Sequence, residues 1–319
     1  METKSNRCLY CYNELRESEK DFHAKCSKTF FGTQVPPSLS LSNEELNELA
    51  KEIVKRSITI PGVQPKLSLN LEKDTADPKK SRLTIVGLWG EYILKPQSER
   101  FQNLPENEDL VMHLAQIANI NTARHTLLRT DSGQLVYITK RFDRVDGKKV
   151  PMEDFCQLAE LLSADKYKST MEKAGILITK YCSPSARATD LIKFFDIAIF
   201  SFLVGNSDMH LKNFSVIKDE ENQYRLSPAY DLLSSNLAMP SDSEQMALHV
   251  HGKKNKIRRY DFVSLGTHIG LTESMIEKVI DKYNQDMLNK FENFISISFL
   301  TAELQEKLIQ LVRSRFNVF

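Results

Sequence analysis

The 319 residues are too many for one minimal domain, and a hydrophobic content of 41% is too high for a disordered chain. Forty-three Lys and Arg residues against 42 Asp and Glu residues give a net charge of +1, so no overall field attracts nucleic acid or an anionic membrane. No secretory segment opens the sequence, and its longest apolar stretch, Phe194 to Val204, is too short to span a bilayer. We therefore expect a cytoplasmic protein without a membrane partner.

Residues 1–33 form a cysteine-rich segment. Cys8 and Cys11 give the spacing C-x2-C, and His23 and Cys26 give H-x2-C eleven residues later. Two such pairs of nitrogen and sulfur ligands are sufficient for a tetrahedral Zn²⁺ site. The five cysteines of the chain are an odd number and too sparse for a disulfide framework. Ordinary buried thiols are the alternative to zinc.

Residues 34–144 are predicted to form a small lobe built on a sheet. Ser42, with Glu45 three residues later, is a capping box that predicts a helix to about Lys55. Alternating and β-branched residues predict strands, and Asp131-Ser132-Gly133 predicts a hairpin turn. The other predicted elements, in chain order, are strands within 57–71 on both sides of Pro61-Gly62, strands 83–86 and 91–94, a helix over 106–119, and hairpin strands 122–128 and 134–142.

Residues 145–319 are predicted to form a mainly helical second lobe. The segment Ala188 to Val204 is apolar nearly all round, which indicates a buried central helix. Five of the seven residues from Lys253 to Arg259 are basic, which fits either a solvated loop or a patch that binds phosphate or a partner. The remaining predicted elements are helices over 153–162, 273–295 and 301–316 and two short strands, 214–217 and 224–226.

Polar residues are dense in the segment 205–213, directly after the apolar helix. Asp208 and Asn213 lie five residues apart, the separation between the catalytic Asp and the metal-binding Asn of a protein-kinase loop. Asp231 follows the two short strands, so Asn213 and Asp231 can lie on opposite sides of one Mg²⁺, a cation that takes oxygen ligands. Asp208 can then act on the acceptor hydroxyl as a base. The alternative is that Asp208 caps a helix and Asp231 is a turn residue.

Lys95 ends a predicted strand, the position from which a kinase lysine reaches the nucleotide phosphates. Glu108, near the start of the next helix, could orient Lys95 through an ion pair, and Glu99 or Glu106 could do so equally. The loop 57–66 lies upstream, where a phosphate-covering loop is expected, but its single glycine fits neither a Walker A loop nor G-x-G-x-x-G. A lysine on a surface strand is the alternative.

Several short motifs follow one another in a fixed order over roughly residues 57 to 235. They are Ser57-Ile58-Thr59 with Pro61-Gly62-Val63-Gln64-Pro65-Lys66, Tyr92-Ile93-Leu94-Lys95-Pro96, Leu104-Pro105-Glu106-Asn107-Glu108, Lys140-Arg141-Phe142-Asp143-Arg144, Glu153-Asp154-Phe155-Cys156-Gln157, Gly205-Asn206-Ser207-Asp208, Asn213-Phe214-Ser215 and Tyr230-Asp231. Together they resemble the motifs of the HipA-type kinases, the toxin components of bacterial toxin–antitoxin systems. Their combined order is far more specific than any one of them.

The resemblance implies an α+β, two-lobed protein-kinase-like fold, with a small mixed N-terminal lobe over 34–144 and an all-helical C-terminal lobe over 145–319. It implies ATP and Mg²⁺ as cofactors. The implied roles are Asp208 as the catalytic aspartate, Asn213 and Asp231 as Mg²⁺ ligands, Lys95, Gly62, Val63, Gln64, His210 and Lys212 beside the ATP phosphates, and Lys140, Arg141 and Phe142 as the hinge against adenine.

The resemblance also implies partners. The sequence lacks the small N-terminal subdomain that full-length members place before the kinase core, and in this it resembles the short HipT type. In those systems a separate small protein corresponds to that subdomain and neutralises the toxin, alongside a DNA-binding antitoxin, so DNA is contacted only indirectly. Members phosphorylate serine in aminoacyl-tRNA synthetases and stall translation. Hydroxyls at both Ser57 and Thr59 suggest two autophosphorylation positions.

Two other functions fit parts of the sequence. A small-molecule kinase would use the same phosphate machinery, but it has no reason to carry acceptors at both Ser57 and Thr59. A nucleotide-sensing partner of a DNA-binding repressor would use Lys253 to Arg259 to touch DNA. The near-zero net charge and the lack of a recognisable DNA-reading motif weigh against that second alternative.

Overall fold

The alternating apolar residues of the first half form a five-stranded antiparallel sheet in the computed structural model, which describes residues 6–39, 45–46, 48–49, 66–74, 76–86, 89–98, 100–145 and 147–319. The strands of this sheet, in chain order, are β1 (Leu67–Glu72), β2 (Arg82–Val86), β3 (Tyr92–Lys95), β4 (His125–Arg129) and β5 (Leu135–Lys140). Across the sheet their order is β2-β1-β3-β5-β4, and every neighbouring pair is antiparallel.

The sheet belongs to the first of two compact units. Unit 1 comprises Met1–Asp109 and Ala123–Phe142, and unit 2 comprises Leu110–Thr122 and Asp143–Phe319. The cysteine-rich segment falls in unit 1. Several predicted features lie outside the described residues, namely the capping serine Ser42 and the loop residues Ser57, Thr59, Gly62, Val63 and Gln64.

The strands of unit 1 follow the period-2 pattern of their sequence. In β1 the side chains of Leu67 and Leu69 are buried, because successive side chains of a strand point to opposite faces. The predicted hairpin between β4 and β5 is confirmed, and the Thr130 N–H donates to the Gln134 carbonyl at 2.9 Å to close it. Gly133 adopts a φ of 85° in this turn, a conformation that glycine reaches without steric cost.

Helix α1 (Ala24–Phe31) in the cysteine-rich segment was not predicted from the sequence, because its eight residues are fewer than the roughly 11 to 18 in which a helical period is recognised. It ends at Gly32, whose left-handed φ of 77° is typical of a helix C-terminus. Phe30 packs on Tyr92 of β3, with 5.9 Å between ring centroids. Helix α2 (Leu104–Ile117) matches the predicted helix over 106–119; its first six residues belong to unit 1 and the rest to unit 2.

Unit 2 is mainly helical. Its helices are α3 (Phe155–Leu158), α4 (Met171–Tyr181), α5 (Pro184–Leu203), α6 (Ser235–Ala238), α7 (Arg259–His268), α8 (Glu273–Asp281), α9 (Gln285–Ser296) and α10 (Ala302–Phe316). The predicted central helix is confirmed as α5, which begins one turn earlier than predicted because Pro184 occupies its first position. Most side chains in its second half are buried, as the uniformly apolar sequence indicates.

The description of the second lobe as all-helical is wrong in detail, because unit 2 also contains two small sheets. One is three-stranded, in the order β10-β9-β8, with β8 (Met152–Asp154), β9 (Ser215–Lys218) and β10 (Tyr224–Leu226); the other pairs β6 (Arg144–Val145) with β7 (Lys148–Lys149). The predicted hairpin of β9 and β10 presents an unpaired edge, and β8 satisfies its backbone groups by pairing with β9.

Two predicted helices are shorter than expected. The segment 153–162 contains only the one turn of α3, because its first residues extend β8 and Glu160 adopts a left-handed φ of 57°. The segment 273–295 is divided into α8 and α9, because the Asn284 side chain accepts the N–H groups of Asp286 and Met287 and starts a new helix. Among the described residues, no helix is both long and apolar enough to cross a bilayer.

Candidate active site

The polar segment 205–213 is anchored at the end of α5 by a glycine. Gly205 adopts a φ of 69°, and a Cβ at this position would lie 2.6 Å from Leu311 Cδ2 and 3.2 Å from Asn236 Oδ1. Both the conformation and the space therefore require glycine. The Asn206 N–H then donates to the Ser201 carbonyl at 2.8 Å, which fixes the start of the segment relative to the buried helix.

Asp208 is half-buried and held by two hydrogen bonds, one from its backbone and one to its side chain. Its own N–H donates to Asn206 Oδ1 at 3.2 Å, and the hydroxyl of Tyr167 donates to Asp208 Oδ1. Burial, together with the neighbouring Asp208 charge, raises the pKa of Tyr167 above its ordinary value, so the hydroxyl stays protonated and remains a donor. The carboxylate is thus oriented in advance, as a base that acts on one hydroxyl needs to be.

Asn213 is tied to the same segment. It ends the short 3-10 turn Leu211–Asn213, and its side-chain Nδ2 donates to the Asp208 carbonyl at 3.1 Å. With the amide nitrogen committed to that carbonyl, the amide oxygen is the atom of Asn213 that can ligate a cation. The five-residue spacing noted in the sequence thus corresponds to a direct hydrogen bond between the two positions.

Asp231 follows β10 and has a left-handed φ of 55°, a conformation in which Asp is less disfavoured than most residues. The hydroxyl of the preceding Tyr230 donates to the Lys212 carbonyl at 3.0 Å, so the Ser215 hydroxyl is the donor in its 2.5 Å hydrogen bond with Tyr230. These bonds join the start of β9 and the residues just before it to the segment after β10. The bond between Tyr230 and Lys212 holds together two segments that are 18 positions apart in the sequence.

The pKa of His210 is affected by the charges of both Asp208 and Asp231. Burial lowers its pKa, while the charges of Asp208 and Asp231 both act in the opposite direction. The net effect is a lowered pKa, which favours the neutral imidazole. Its buried Nδ1 finds no hydrogen-bond partner in the part of the chain that the structure describes. Asp208 and Asp231 are therefore both near enough to His210 to affect its charge state, and Asn213 is joined to Asp208 by a hydrogen bond.

The side chain of Lys212 forms an ion pair with Asp154. Its Nζ donates to Asp154 Oδ2 at 2.7 Å. Asp154 is also the N-cap of α3, where its Oδ1 accepts the Gln157 N–H at 2.9 Å. One carboxylate thus serves both a helix terminus and a lysine, which fixes the position of Lys212.

In unit 1, the structure brings Lys95 and Glu108 together. The distance from Lys95 Nζ to Glu108 Oε1 is 2.7 Å, and the two residues are 5% and 1% exposed. Glu106, one of the two alternatives from the sequence, instead accepts a hydrogen bond from Gln97 Nε2 at 3.2 Å, and burial raises the pKa of its carboxyl. Glu99, the other alternative, lies outside the described residues.

The predicted hinge residues end the same sheet. The Lys140 N–H donates to the Arg124 carbonyl and the Arg141 N–H to the Glu91 carbonyl, both at 2.8 Å. Lys140 Nζ lies 6.0 Å from the centroid of the Tyr92 ring. Phe142 follows in a turn and is half-buried. The backbone at the end of β5 is therefore fixed by hydrogen bonds within unit 1.

The basic cluster of Lys253 to Arg259 is largely paired with acids. Lys253 Nζ lies 2.8 Å from Asp261 Oδ1, Lys254 Nζ lies 3.0 Å from Glu244 Oε2, and Arg259 pairs with Glu277. These ion pairs reduce the local positive charge that a nucleic-acid phosphate would meet. They favour the interpretation of this cluster as a solvated surface.

Two residues of the site were missed by the sequence interpretation. Tyr167 lies 41 positions before its acceptor Asp208, and no local pattern marks it. Asp154 was noted within a motif but given no role, although the spacing D-x-x-Q to Gln157 is that of a capping box. That spacing could have predicted Asp154 as the N-cap of α3.

A family model matches most of the chain. Residues 58–291 match the model of the HipA-like C-terminal domain. The chain belongs to this family. A candidate kinase of Sinorhizobium fredii, Y4mE, is 34% identical over 215 residues, which cover 64% of this chain and 48% of Y4mE. The chain therefore spans about half the length of that relative.

Two solved structures share the fold. The HipA chain in a complex of Shewanella oneidensis HipA, HipB and operator DNA aligns with a TM-score of 0.64 at 18% identity, covering 84% of this chain and 70% of that chain. The Helicobacter pylori kinase CtkA, described as proinflammatory, aligns with a TM-score of 0.51 at 17% identity, covering 72% and 87%. The predicted α+β kinase-like fold class is therefore confirmed.

Proposed function

We propose that this member of the HipA-like family is an ATP-dependent protein serine/threonine kinase. The proposal is supported by the hydrogen bond from Asn213 to the Asp208 carbonyl and by the charges of Asp208 and Asp231, both of which act on His210. Phosphoryl transfer needs oxygen ligands for Mg²⁺ and a carboxylate that orients the acceptor hydroxyl. In this proposal Asn213 and Asp231 hold Mg²⁺, and Asp208 acts on the hydroxyl.

The remaining roles concern ATP. Lys95, held by Glu108, contacts the phosphates, and the loop residues Gly62, Val63 and Gln64 cover them. His210 and Lys212 lie beside the phosphates, and Lys140, Arg141 and Phe142 form the hinge against adenine. The buried Lys95–Glu108 pair supports the first of these roles, because kinases of known mechanism require such a pair in place.

We further propose that the kinase is the toxin of a bacterial toxin–antitoxin system of the HipT type. Its protein substrate is a serine of an aminoacyl-tRNA synthetase, whose phosphorylation inhibits translation. The partners are a small antitoxin that resembles the N-terminal subdomain of full-length members and a DNA-binding antitoxin, through which DNA is contacted only indirectly. Support comes from the HipA relative, whose structure includes HipB and operator DNA.

The experiment that tests the kinase proposal separates it from a small-molecule kinase. The full chain is incubated with magnesium and ATP labelled in the γ-phosphate, together with purified aminoacyl-tRNA synthetases. We expect label on protein, located at serine or threonine by mass spectrometry, and no label with an Asp208→Ala variant. Label that appears only on small molecules of a cell extract would favour the alternative kinase, and no transfer to any acceptor would contradict the proposal.

The metal role of Asp231 predicts a specific binding defect. In an Asp231→Asn variant the left-handed backbone is retained, because Asn also tolerates it, but the charged ligand is lost. Residues that only support a metal ligand change metal affinity by about 10- to 100-fold, so the loss of a direct ligand should weaken magnesium-dependent ATP binding at least as much. Nucleotide titration with and without magnesium measures this loss of ATP affinity.

Asp219→Asn is the matched control, because Asp219 Oδ1 accepts the Glu221 and Gln223 N–H groups in the nearby turn. This variant should bind magnesium–ATP normally. If the folded Asp231→Asn protein also binds it normally, Asp231 is not a ligand.

The proposed autophosphorylation of Ser57 and Thr59 predicts inhibition. A phosphate carries nearly two negative charges at neutral pH, so a phosphorylated loop is repelled by the γ-phosphate of ATP. Ser57→Asp and Thr59→Asp should therefore weaken ATP binding and relieve toxicity, whereas the corresponding Ala variants should stay active. A doubly phosphorylated protein that binds ATP and modifies its target as well as the unphosphorylated form would leave both residues with a purely structural role.

A further inference from the structure

The first pair of cysteines lies at the tip of a short hairpin. Residues Arg7 and Glu14 pair as an antiparallel bridge, the Cys8 N–H donates to the Asn13 carbonyl at 2.9 Å, and the Tyr12 N–H donates to the Cys8 carbonyl at 2.9 Å. Tyr12 adopts a left-handed φ of 61°, which is uncommon for an aromatic residue. This sharp reversal brings Cys8 and Cys11 to one side of the turn.

The second pair lies at the start of α1. His23 is the residue before the helix, and Cys26 is the third residue within it. His23 Nδ1 lies 3.5 Å from Cys11 Sγ and 3.6 Å from Cys26 Sγ. The ligand atoms of Cys8, Cys11, His23 and Cys26 all lie within 4.8 Å of one another. A hairpin and a helix terminus thus direct four sulfur and nitrogen atoms to one point.

The distances match those around a tetrahedral metal ion. With a zinc–sulfur bond of about 2.3 Å and a zinc–nitrogen bond of about 2.05 Å, tetrahedral angles put sulfur and nitrogen roughly 3.6 Å apart. The two nitrogen–sulfur distances in the structure, 3.5 and 3.6 Å, agree with this value. All three cysteines are free thiols, so no disulfide accounts for their approach.

The histidine is oriented for this role. Its Nε2 lies 3.0 Å from the Glu14 carbonyl oxygen, which can only accept a hydrogen bond, so Nε2 carries the proton. Glu19 Oε2 lies 4.0 Å from the same nitrogen. The lone pair of Nδ1 therefore faces the thiols. A second ring nitrogen that donates to a carbonyl or carboxylate is the usual arrangement of a metal-bound histidine.

We propose that Cys8, Cys11, His23 and Cys26 bind one Zn²⁺ ion as a closed structural site. Four protein ligands fill a tetrahedral zinc ion and leave no position for a substrate, so the site has a structural role. Its sulfur-rich ligand set prefers zinc to the oxygen-seeking Mg²⁺ of the proposed kinase reaction. The two metal sites are therefore chemically independent, and the zinc site does not depend on the proposed function.

The site holds the segment to the sheet of unit 1. Between the two hairpin cysteines, the Leu9 carbonyl accepts the Thr126 hydroxyl at 3.0 Å. Directly after them, the buried Tyr12 hydroxyl donates to Asp109 Oδ2 at 2.8 Å. On the other side of the site, Phe30 of α1 packs on Tyr92. Zinc binding thus fixes the hairpin and helix that make these contacts.

The test uses the full chain produced in zinc-supplemented medium and purified without chelator. Elemental analysis should find about one zinc per chain, the stoichiometry expected of four ligands at one site. Cobalt exchanged into the site should give the intense d–d bands and the thiolate charge-transfer band of a tetrahedral thiolate centre. Removal of the metal by a strong chelator should lower the Tm, because metal binding in such sites contributes directly to folding.

Variants separate a metal ligand from an ordinary buried thiol. Cys11→Ser should lose the metal, whereas Cys182→Ser, which changes a buried cysteine of unit 2, should keep it. Because Cys11→Ser could fail to fold, His23→Cys provides a second variant that should retain zinc with a shifted cobalt spectrum. Less than about a tenth of an equivalent of zinc in the wild-type protein would overturn the proposal. So would a full equivalent in folded Cys11→Ser.

Discussion

Replacing Asp208 by Asn is expected to slow phosphoryl transfer by about 10²- to 10⁴-fold, the range that general acid–base catalysis contributes, while magnesium–ATP binding stays nearly unchanged. The amide keeps the shape of the carboxylate and can still accept the Tyr167 hydroxyl through its oxygen. It cannot accept the proton of the substrate hydroxyl. Since that proton moves only during the reaction, the loss should appear in kcat and not in nucleotide affinity.

Single-turnover kinetics and nucleotide titration, performed on the same preparation, separate the two quantities. Asp165→Asn is a suitable control, because Asp165 lies in the turn just before Tyr167 and pairs with the exposed Lys168. It should leave both quantities unchanged. A folded Asp208→Asn protein that transfers phosphate at the native rate would remove Asp208 from the proposed mechanism.

Replacing Lys95 by Met is expected to lower the free energy of unfolding by about 3–5 kcal/mol, because it leaves the Glu108 carboxylate buried without its cation. Glu108→Gln should cost a similar amount for the converse reason. The double variant should recover much of the loss, since it removes both charges together. Chemical denaturation of the three variants gives the coupling energy through a double-mutant cycle. Phosphoryl transfer should fall in all three, because the proposed contact of Lys95 with the ATP phosphates is absent or misplaced.

The same sheet offers a matched exposed pair. Arg82 Nε lies 2.7 Å from Glu72 Oε2, the same separation as in the buried pair, but both side chains are more than half exposed. Water and salt screen such a pair, so Arg82→Met should change stability far less than Lys95→Met. Equal effects of the two substitutions would show that burial of the Lys95–Glu108 pair has no energetic consequence.

Local sequence patterns predicted the elements whose conformation is specified by their own residues. The β4–β5 hairpin was predicted from Asp131-Ser132-Gly133, because a glycine at positive φ specifies the turn by itself. The central helix α5 was predicted from its uniformly apolar sequence. The extent of α3 was not predicted, because the strand pairing of Met152–Asp154 with β9 overrides the helical pattern that follows.

The choice of Glu108 as the partner of Lys95 depends on the three-dimensional placement of the helix, and the sequence separation alone does not determine it. Glu106 and Glu108 are both near the start of α2, and either could be reached from Lys95 by counting residues alone. Two positions along a helix correspond to a rotation of about 200°, so the two carboxylates lie on nearly opposite faces. Only the placement of the helix against β3 selects Glu108. The Tyr167–Asp208 contact is still harder to predict from the sequence, because it joins two residues that are 41 positions apart and share no local pattern.

The hydrogen bond from Tyr12 to Asp109 has a consequence for experiments with shortened proteins. Asp109 and Tyr12 are completely buried, and His125 Nδ1 donates to the other carboxylate oxygen of Asp109 at 2.7 Å. A chain begun after the cysteine-rich segment would lose the Tyr12 donor and would uncover the face of Tyr92 on which Phe30 packs. Loss of activity in such a chain would then report impaired folding of unit 1, and would not by itself reveal a regulatory role of the first residues.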